Sequence, residues 1–318
     1  MRSLGYDELR GIWAGLMMTW DEHDRFDEEN YRRNVERICA SGAHGVYTTG
    51  STGEFYALEF EEFRAMMDLV DDICGAHRTP LQIGCNGDST RKVLRLLECA
   101  AGKKNVGGVQ VVVPYWMELN DRELLQYFKD LYACCPDLSL IHYNIPRAKR
   151  YLLGPDYVKI REAAPSLRGV KFTFAGSNFA GLQDAVRLNP GLAFFVGENL
   201  LASGMLVGAR GSCSSLISTN PKFILSLYDH AAEGRWGEAA AMQKIAAELI
   251  SDIAEFVTSR GEGSMDPVFD KGLAAASGGY FGSQRTRAPY IGWSDETVKA
   301  VRMRLAERFP QFISSPSP

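Results

Sequence analysis

No stretch of this 318-residue chain approaches the roughly 18 uninterrupted apolar residues of a membrane-spanning helix. The opening MRSLGYDELRG lacks the apolar core of a signal peptide, so no secretory leader is expected. No run of Lys and Arg stands out. With a formal charge of −4 and a pI of about 5.8, nucleic acid is a poor partner. The seven cysteines (Cys39, Cys74, Cys85, Cys99, Cys134, Cys135 and Cys213) are odd in number and contain no C-x-x-C pair. That argues against a disulfide framework and a zinc site, and predicts reduced, mostly buried thiols in a cytoplasmic protein. No repeat of 20–50 residues is present, which excludes a solenoid.

What is present is alternation. The chain is 46% hydrophobic, enough for a large core. Apolar runs predict strands over 11–19, 45–49, 81–84, 107–114, 138–144, 167–174, 192–197 and, more weakly, 208–215. Between them, 3.6-residue spacing or capping signals predict helices over 28–40, 59–74, 90–101, 120–134, 155–163, 178–187 and 199–207. Asn120 and Glu123 form a capping-box pattern. Eight continuous apolar strands joined through helices argue for a parallel sheet covered by helices. A (β/α)8 TIM barrel over 1–220 fits this best. The rival doubly wound sheet normally shows a glycine-rich turn after its first strand, and MMTWDEHDRF has no glycine. From about Pro221 no strand pattern remains, which predicts a helical extension over 221–318. Met242, Ile245, Leu249, Ile253 and Phe256 mark one face of a long helix there, and Ser294 caps a last helix reaching Arg308.

In such a barrel the chemistry sits where strands end. The second strand runs into Gly50-Ser51-Thr52-Gly53-Glu54. Two glycines and two hydroxyls suit an anion cradle for a carboxylate or a phosphate, or simply a capped turn. Glu54 reads as an anchor of that turn. Tyr143 ends the fifth strand and suits a proton shuttle or an ordinary half-buried tyrosine. Lys171 interrupts the apolar sixth strand. It is either a lysine reaching solvent or a buried amine whose pKa is lowered enough to attack ketones. Taken together, the three describe imine formation on a 2-keto acid.

The motifs GSTGE (50–54), YNIP (143–146), GVK (169–171) and GARGSCSS (208–215), in this order, resemble the dihydrodipicolinate synthase and N-acetylneuraminate lyase superfamily of class I aldolases. The resemblance spans nearly the whole chain. It implies a (β/α)8 barrel with C-terminal helices, Lys171 as Schiff-base lysine, Tyr143 as proton shuttle, and Gly50, Ser51 and Thr52 around a pyruvate carboxylate. It implies no metal and no cofactor, and a homotetramer or homodimer. The sequence departs from the synthases at Ala148, where they carry an arginine between positions held here by Arg147 and Lys149. It departs again at Trp116, beside Tyr115, where they carry a relay tyrosine. Thr173, Ser215 and the half-kept pair Glu198-Asn199 resemble the substrate-tail contacts of the lyases. Trp116, also expected at the substrate tail, resembles the P-x-W of hydratase-aldolases, and the TGEF stretch that of keto-deoxyglucarate dehydratases. The expected activity is C–C cleavage or formation in a 2-keto acid with pyruvate as one partner. The alternatives are a 2-keto-3-deoxy acid dehydratase or hydratase-aldolase using the same lysine, and a 2-keto acid binding protein without turnover.

Overall fold

The computed structural model describes residues 3–173 and 178–313. Strand and helix alternate as β1 (Gly11–Gly15), α1 (Glu28–Ala40), β2 (Gly45–Tyr47), α2 (Phe60–His77), β3 (Leu81–Gly84) and α3 (Thr90–Ala101). They continue as β4 (Val106–Val111), α4 (Asp121–Cys134), β5 (Ser139–Asn144), α5 (Gly154–Ala163), β6 (Leu167–Phe172) and α6 (Phe179–Leu188). β7 (Ala193–Val196), α7 (Leu201–Leu206) and β8 (Gly211–Ser214) complete the sheet, followed by α8 (Pro221–Ala232), α9 (Trp236–Ser259), α10 (Val268–Ser277) and α11 (Asp295–Arg308). Each strand pairs in parallel with the next, and β8 closes on β1, giving a closed (β/α)8 barrel.

Caps set several boundaries. The Asn120 side chain accepts from the Glu123 amide, and Glu123 returns the bond to the Asn120 amide, as the sequence predicts for α4. Ser294 accepts from the Thr297 amide at the start of α11. Strands end earlier than their apolar runs. β1 stops at Gly15, although Leu16 to Trp20 remain buried, because its partner β2 ends at Tyr47. β6 stops at Phe172, and Phe174 and the tail 314–318 lie outside the described residues.

Two cores result. The larger lies between the sheet and its helices. The smaller fills the barrel and contains Trp13, Tyr47, Ile141, Phe195 and Cys213, with Leu4 and Leu9 from the segment before β1. Leu4 is held by Gly107 and Ser139, at the N-terminal ends of β4 and β5, so this segment plugs that end. The opposite end is left for the site. Alternation along β5 turns Tyr143 inward and His142 outward, where His142 meets the Tyr157 hydroxyl at 3.0 Å.

The long helix α9 buries Ala239, Ala246, Leu249, Ile253 and Val257, while Met242, Ile245 and Phe256 are half-buried at the edge of that face. α10 falls within the predicted helical extension, but no helical period marks it. Most of its residues are buried, so it shows no polar face to set one.

Candidate active site

Strand register brings the first two residues together. Tyr143 of β5 pairs directly with Lys171 of β6, so both side chains enter the barrel mouth side by side. The Lys171 Nζ lies 4.0 Å from the centre of the Tyr143 ring and donates to the Tyr47 hydroxyl at 3.2 Å. Tyr47 gets there because Gly15 faces it. A Cβ at Gly15 would stand 2.7 Å from the Tyr47 hydroxyl oxygen.

The turn after β2 supplies the next group. Ser51 Oγ and the Tyr143 hydroxyl are 2.8 Å apart. Left-handed backbone falls on Thr49 and Glu54, with φ of 45° and 49°, and not on the glycines. Gly53 is required by close approach, since a Cβ there would meet the Thr49 amide nitrogen at 2.6 Å. Among the described residues, the amides of Ser51, Thr52 and Gly53 donate to no protein acceptor. Glu54 anchors the turn as expected, but mainly through its side chain. It is fully buried in an ion pair with Lys271 of α10. Its two oxygens also accept the Trp20 indole N–H and the Arg287 amide, each at 3.0 Å.

The chain beyond β8 adds two acids that the sequence reading did not single out. Asp270, in the first turn of α10, accepts from the Thr52 hydroxyl at 2.7 Å. Asp266, just before α10, accepts from Arg147 at 2.8 Å. Lys171, Tyr143, Tyr47, Thr52, Thr173, Glu198, Asn199, Ser215, Asp266 and Asp270 line one cavity of about 400 Å³. A neighbouring cavity of about 450 Å³ shares Tyr143 and Asp266 with it. There Ser51, Arg147 and Ala148 meet an aromatic wall of Phe55, Tyr56, Tyr115 and Tyr290.

The two acids differ in their surroundings. Burial acts to raise Asp266, but the Arg147 guanidinium outweighs it and holds the carboxyl below its ordinary value. Asp270 has the Thr52 hydroxyl for a partner and no cation. Burial first, and the negative Asp266 second, push it up to about 7. Lys171 corrects the expectation of a lowered pKa. Burial acts to lower it, but the neighbouring Tyr143, Tyr47 and Cys213 outweigh this, and the net direction is upward. Burial pushes the Tyr47 phenol and the Cys213 thiol up as well, the thiol to about 12.

Glu198 is buried, and its Oε1 accepts from the amides of Ser215 and Leu216 at 3.2 and 3.0 Å and from the Ser214 and Ser215 hydroxyls. It joins the ends of β7 and β8 while still lining the cavity. Trp116 is 77% exposed and lines neither cavity, unlike Tyr115. The adjacent Asp270 and Lys271 of α10 carried no signal beyond the rarity of an acid-lysine pair in an apolar stretch.

The sequence model of the dihydrodipicolinate synthetase family matches residues 8–261. The chain is 26% identical to an uncharacterized DapA-like lyase of Halobacterium salinarum, covering 94% of each chain. It is 30% identical over 212 residues to a 4-hydroxy-tetrahydrodipicolinate synthase of Thermus thermophilus, covering 66% of this chain and 70% of the relative. The crystal structure of YagE from E. coli in complex with pyruvate has the same fold, with a TM-score of 0.83 at 19% identity, covering 94% of this chain and 98% of that one. The chain thus belongs to the dihydrodipicolinate synthetase family, as a lyase built on its (β/α)8 barrel.

Proposed function

We infer that this lyase forms a Schiff base between Lys171 and a 2-keto acid, and makes or breaks a C–C bond with pyruvate as one partner. The observation that carries this is the cluster at the strand ends: Lys171 beside Tyr143 by register, and Tyr143 bonded to Ser51 at 2.8 Å. In this reading the unbonded amides of Ser51 and Thr52 hold the keto acid carboxylate. Tyr143 takes the proton that Lys171 must lose and returns it to the departing carbonyl oxygen. The protonated imine then draws the electrons of the breaking bond. Thr173, Glu198 and Ser215 face the substrate tail. No metal or organic cofactor enters this scheme.

Dihydrodipicolinate synthesis is disfavoured. Ala148 is buried where a carboxylate-binding arginine would stand, and Arg147 is committed to Asp266. A second reading, a dehydratase or hydratase-aldolase with the same lysine, is favoured by the aromatic wall of the neighbouring cavity. A homotetramer or homodimer in the cytoplasm belongs to the same proposal. The exposure of Trp116 and Met117 supports contact between copies there.

Borohydride reduction in the presence of pyruvate, followed by peptide mass spectrometry, tests the mechanism. A pyruvyl adduct on Lys171 is expected, absent in Lys171→Ala. Product analysis then separates pyruvate release from loss of water. No adduct with pyruvate or with larger 2-keto acids would overturn the reading.

A further inference from the structure

Two consecutive hydroxyls of the turn after β2 serve two different groups. Ser51 bonds Tyr143 at 2.8 Å, and Thr52 bonds Asp270 at 2.7 Å. Both Tyr143 and Asp270 line the cavity that holds Lys171. We propose that Asp270 is a second catalytic residue of the Lys171 site, exchanging protons with substrate carbon and hydroxyl while Tyr143 serves imine formation.

This rests on the Schiff-base reading above and deepens it. A lyase of that kind has two separate proton tasks. One is at the carbonyl oxygen that leaves as the imine forms. The other is at the carbon chain. In the cleavage direction, the Asp270 carboxylate takes the proton of the C4 hydroxyl of the bound keto acid. The C3–C4 bond breaks, its electron pair passes to the iminium nitrogen, and an aldehyde departs. The Asp270 carboxyl then delivers its proton to C3 of the enamine, and water releases pyruvate from Lys171. Atoms and charge balance, and Asp270 ends as it began. A dehydration at C4 would use the same carboxyl in its protonated form.

Several observations single out Asp270 over the other acids of the cavity. Asp266 is paired with Arg147 and held ionised, which suits a fixed charge and not a donor. Glu198 Oε1 is occupied by two amides and two hydroxyls. The Asp270 carboxyl is bonded by the Thr52 hydroxyl, and a hydroxyl can donate to the carboxylate or accept from the acid. Its backbone is pinned by its neighbour Lys271, paired with Glu54 in the core. The titratable groups around it are Asp266, Glu198, Lys171, Tyr143, Tyr47 and Cys213. Among them, Asp266 raises it most, after burial, so both protonation states are populated near neutral pH.

Pyruvate alone tests the proposal, because its methyl protons exchange with solvent whenever the Lys171 imine becomes an enamine. Wild type, Asp270→Asn and Thr52→Val would be incubated with pyruvate in D2O. Exchange is followed by proton NMR across pH, and the Lys171 adduct by borohydride trapping. Asp270→Asn should trap pyruvate as wild type does, yet exchange it about 100-fold more slowly, and lose the inflection near pH 7. Thr52→Val keeps the carboxyl but removes a bond that favours its ionised form, so the inflection should move up in pH. Exchange in Asp270→Asn within about twofold of wild type would overturn the proposal. So would an adduct lost together with exchange in a folded variant, since Asp270 would then serve the imine step. If Asp270→Asn does not fold, an unmoved inflection in Thr52→Val overturns it. A wild-type chain that traps nothing fails the Schiff-base reading itself. A wild type that traps while Asp270→Asn exchanges normally fails this proposal alone.

Discussion

The strand ends bring Lys171, Tyr143, Tyr47 and Thr52 to the cavity, and the chain beyond β8 brings Asp266 and Asp270. The two contributions are held differently. Strand register sets the first group: β5 and β6 cannot slip by one residue without turning Tyr143 and Lys171 to the outer face. No register holds the second. Its position depends on α10, which packs into the larger core and is joined to the turn after β2 by the buried Lys271–Glu54 ion pair and the Thr52–Asp270 bond. The strand ends thus bring a lysine and phenols to the cavity, and the chain beyond β8 brings its two aspartates.

The strongest way to break that division is Lys271→Met. It leaves the Glu54 carboxylate buried without its cation and should destabilise the fold by about 3–5 kcal/mol. Urea unfolding measures this. Adding Glu54→Gln to Lys271→Met should restore part of the loss, because the stranded charge is gone. If Lys271→Met alone were neutral, the two regions would not be joined through this pair.

A smaller effect sharpens the contrast between the acids. The folded chain keeps the Asp270 proton up to about pH 7, whereas the unfolded chain releases it near 3.8. A raised carboxyl of this kind contributes stability that is present below the unfolded value and is lost as pH rises through the folded one. Asp270→Asn removes that penalty. Its melting temperature should exceed that of wild type by a few degrees at pH 8, and the gap should close towards pH 4. Asp266→Asn should show no such gain, since Asp266 is held down by Arg147.

How far the sequence could be read follows the same division. The strands, α1, α3, the capping box of α4, Lys171, Tyr143 and the GSTGE turn all carry local signals: an apolar run, a helical period, a paired cap, a lysine among valine and phenylalanine. The barrel and its family followed from those. Asp266, Asp270 and Lys271 carry none, because a helix buried on most sides has no period and a charged residue in it looks like surface. The direction of the Lys171 shift was missed for a related reason. Burial can be guessed from a strand sequence, but the phenols and thiol contributed by β2, β5 and β8 become neighbours only when the barrel closes.

Arg147→Ala gives the smallest change in stability and the finest test of the comparison. The pair it makes with Asp266 lies at the mouth, with Arg147 about half exposed, so unfolding free energy should move by less than about 1 kcal/mol. Its electrostatic effect should be larger than its structural one. Without the guanidinium, burial acts unopposed by that cation on Asp266, whose carboxyl should titrate at higher pH. A neutral Asp266 no longer pushes Asp270 up, so Asp270 should move in the opposite direction. NMR titration of the two carboxyls reads both shifts. Opposed movements would show that the acids beyond β8 work as a linked pair whose balance is set by one residue of the β5 loop. Parallel or absent movements would mean that each acid is governed by its own burial.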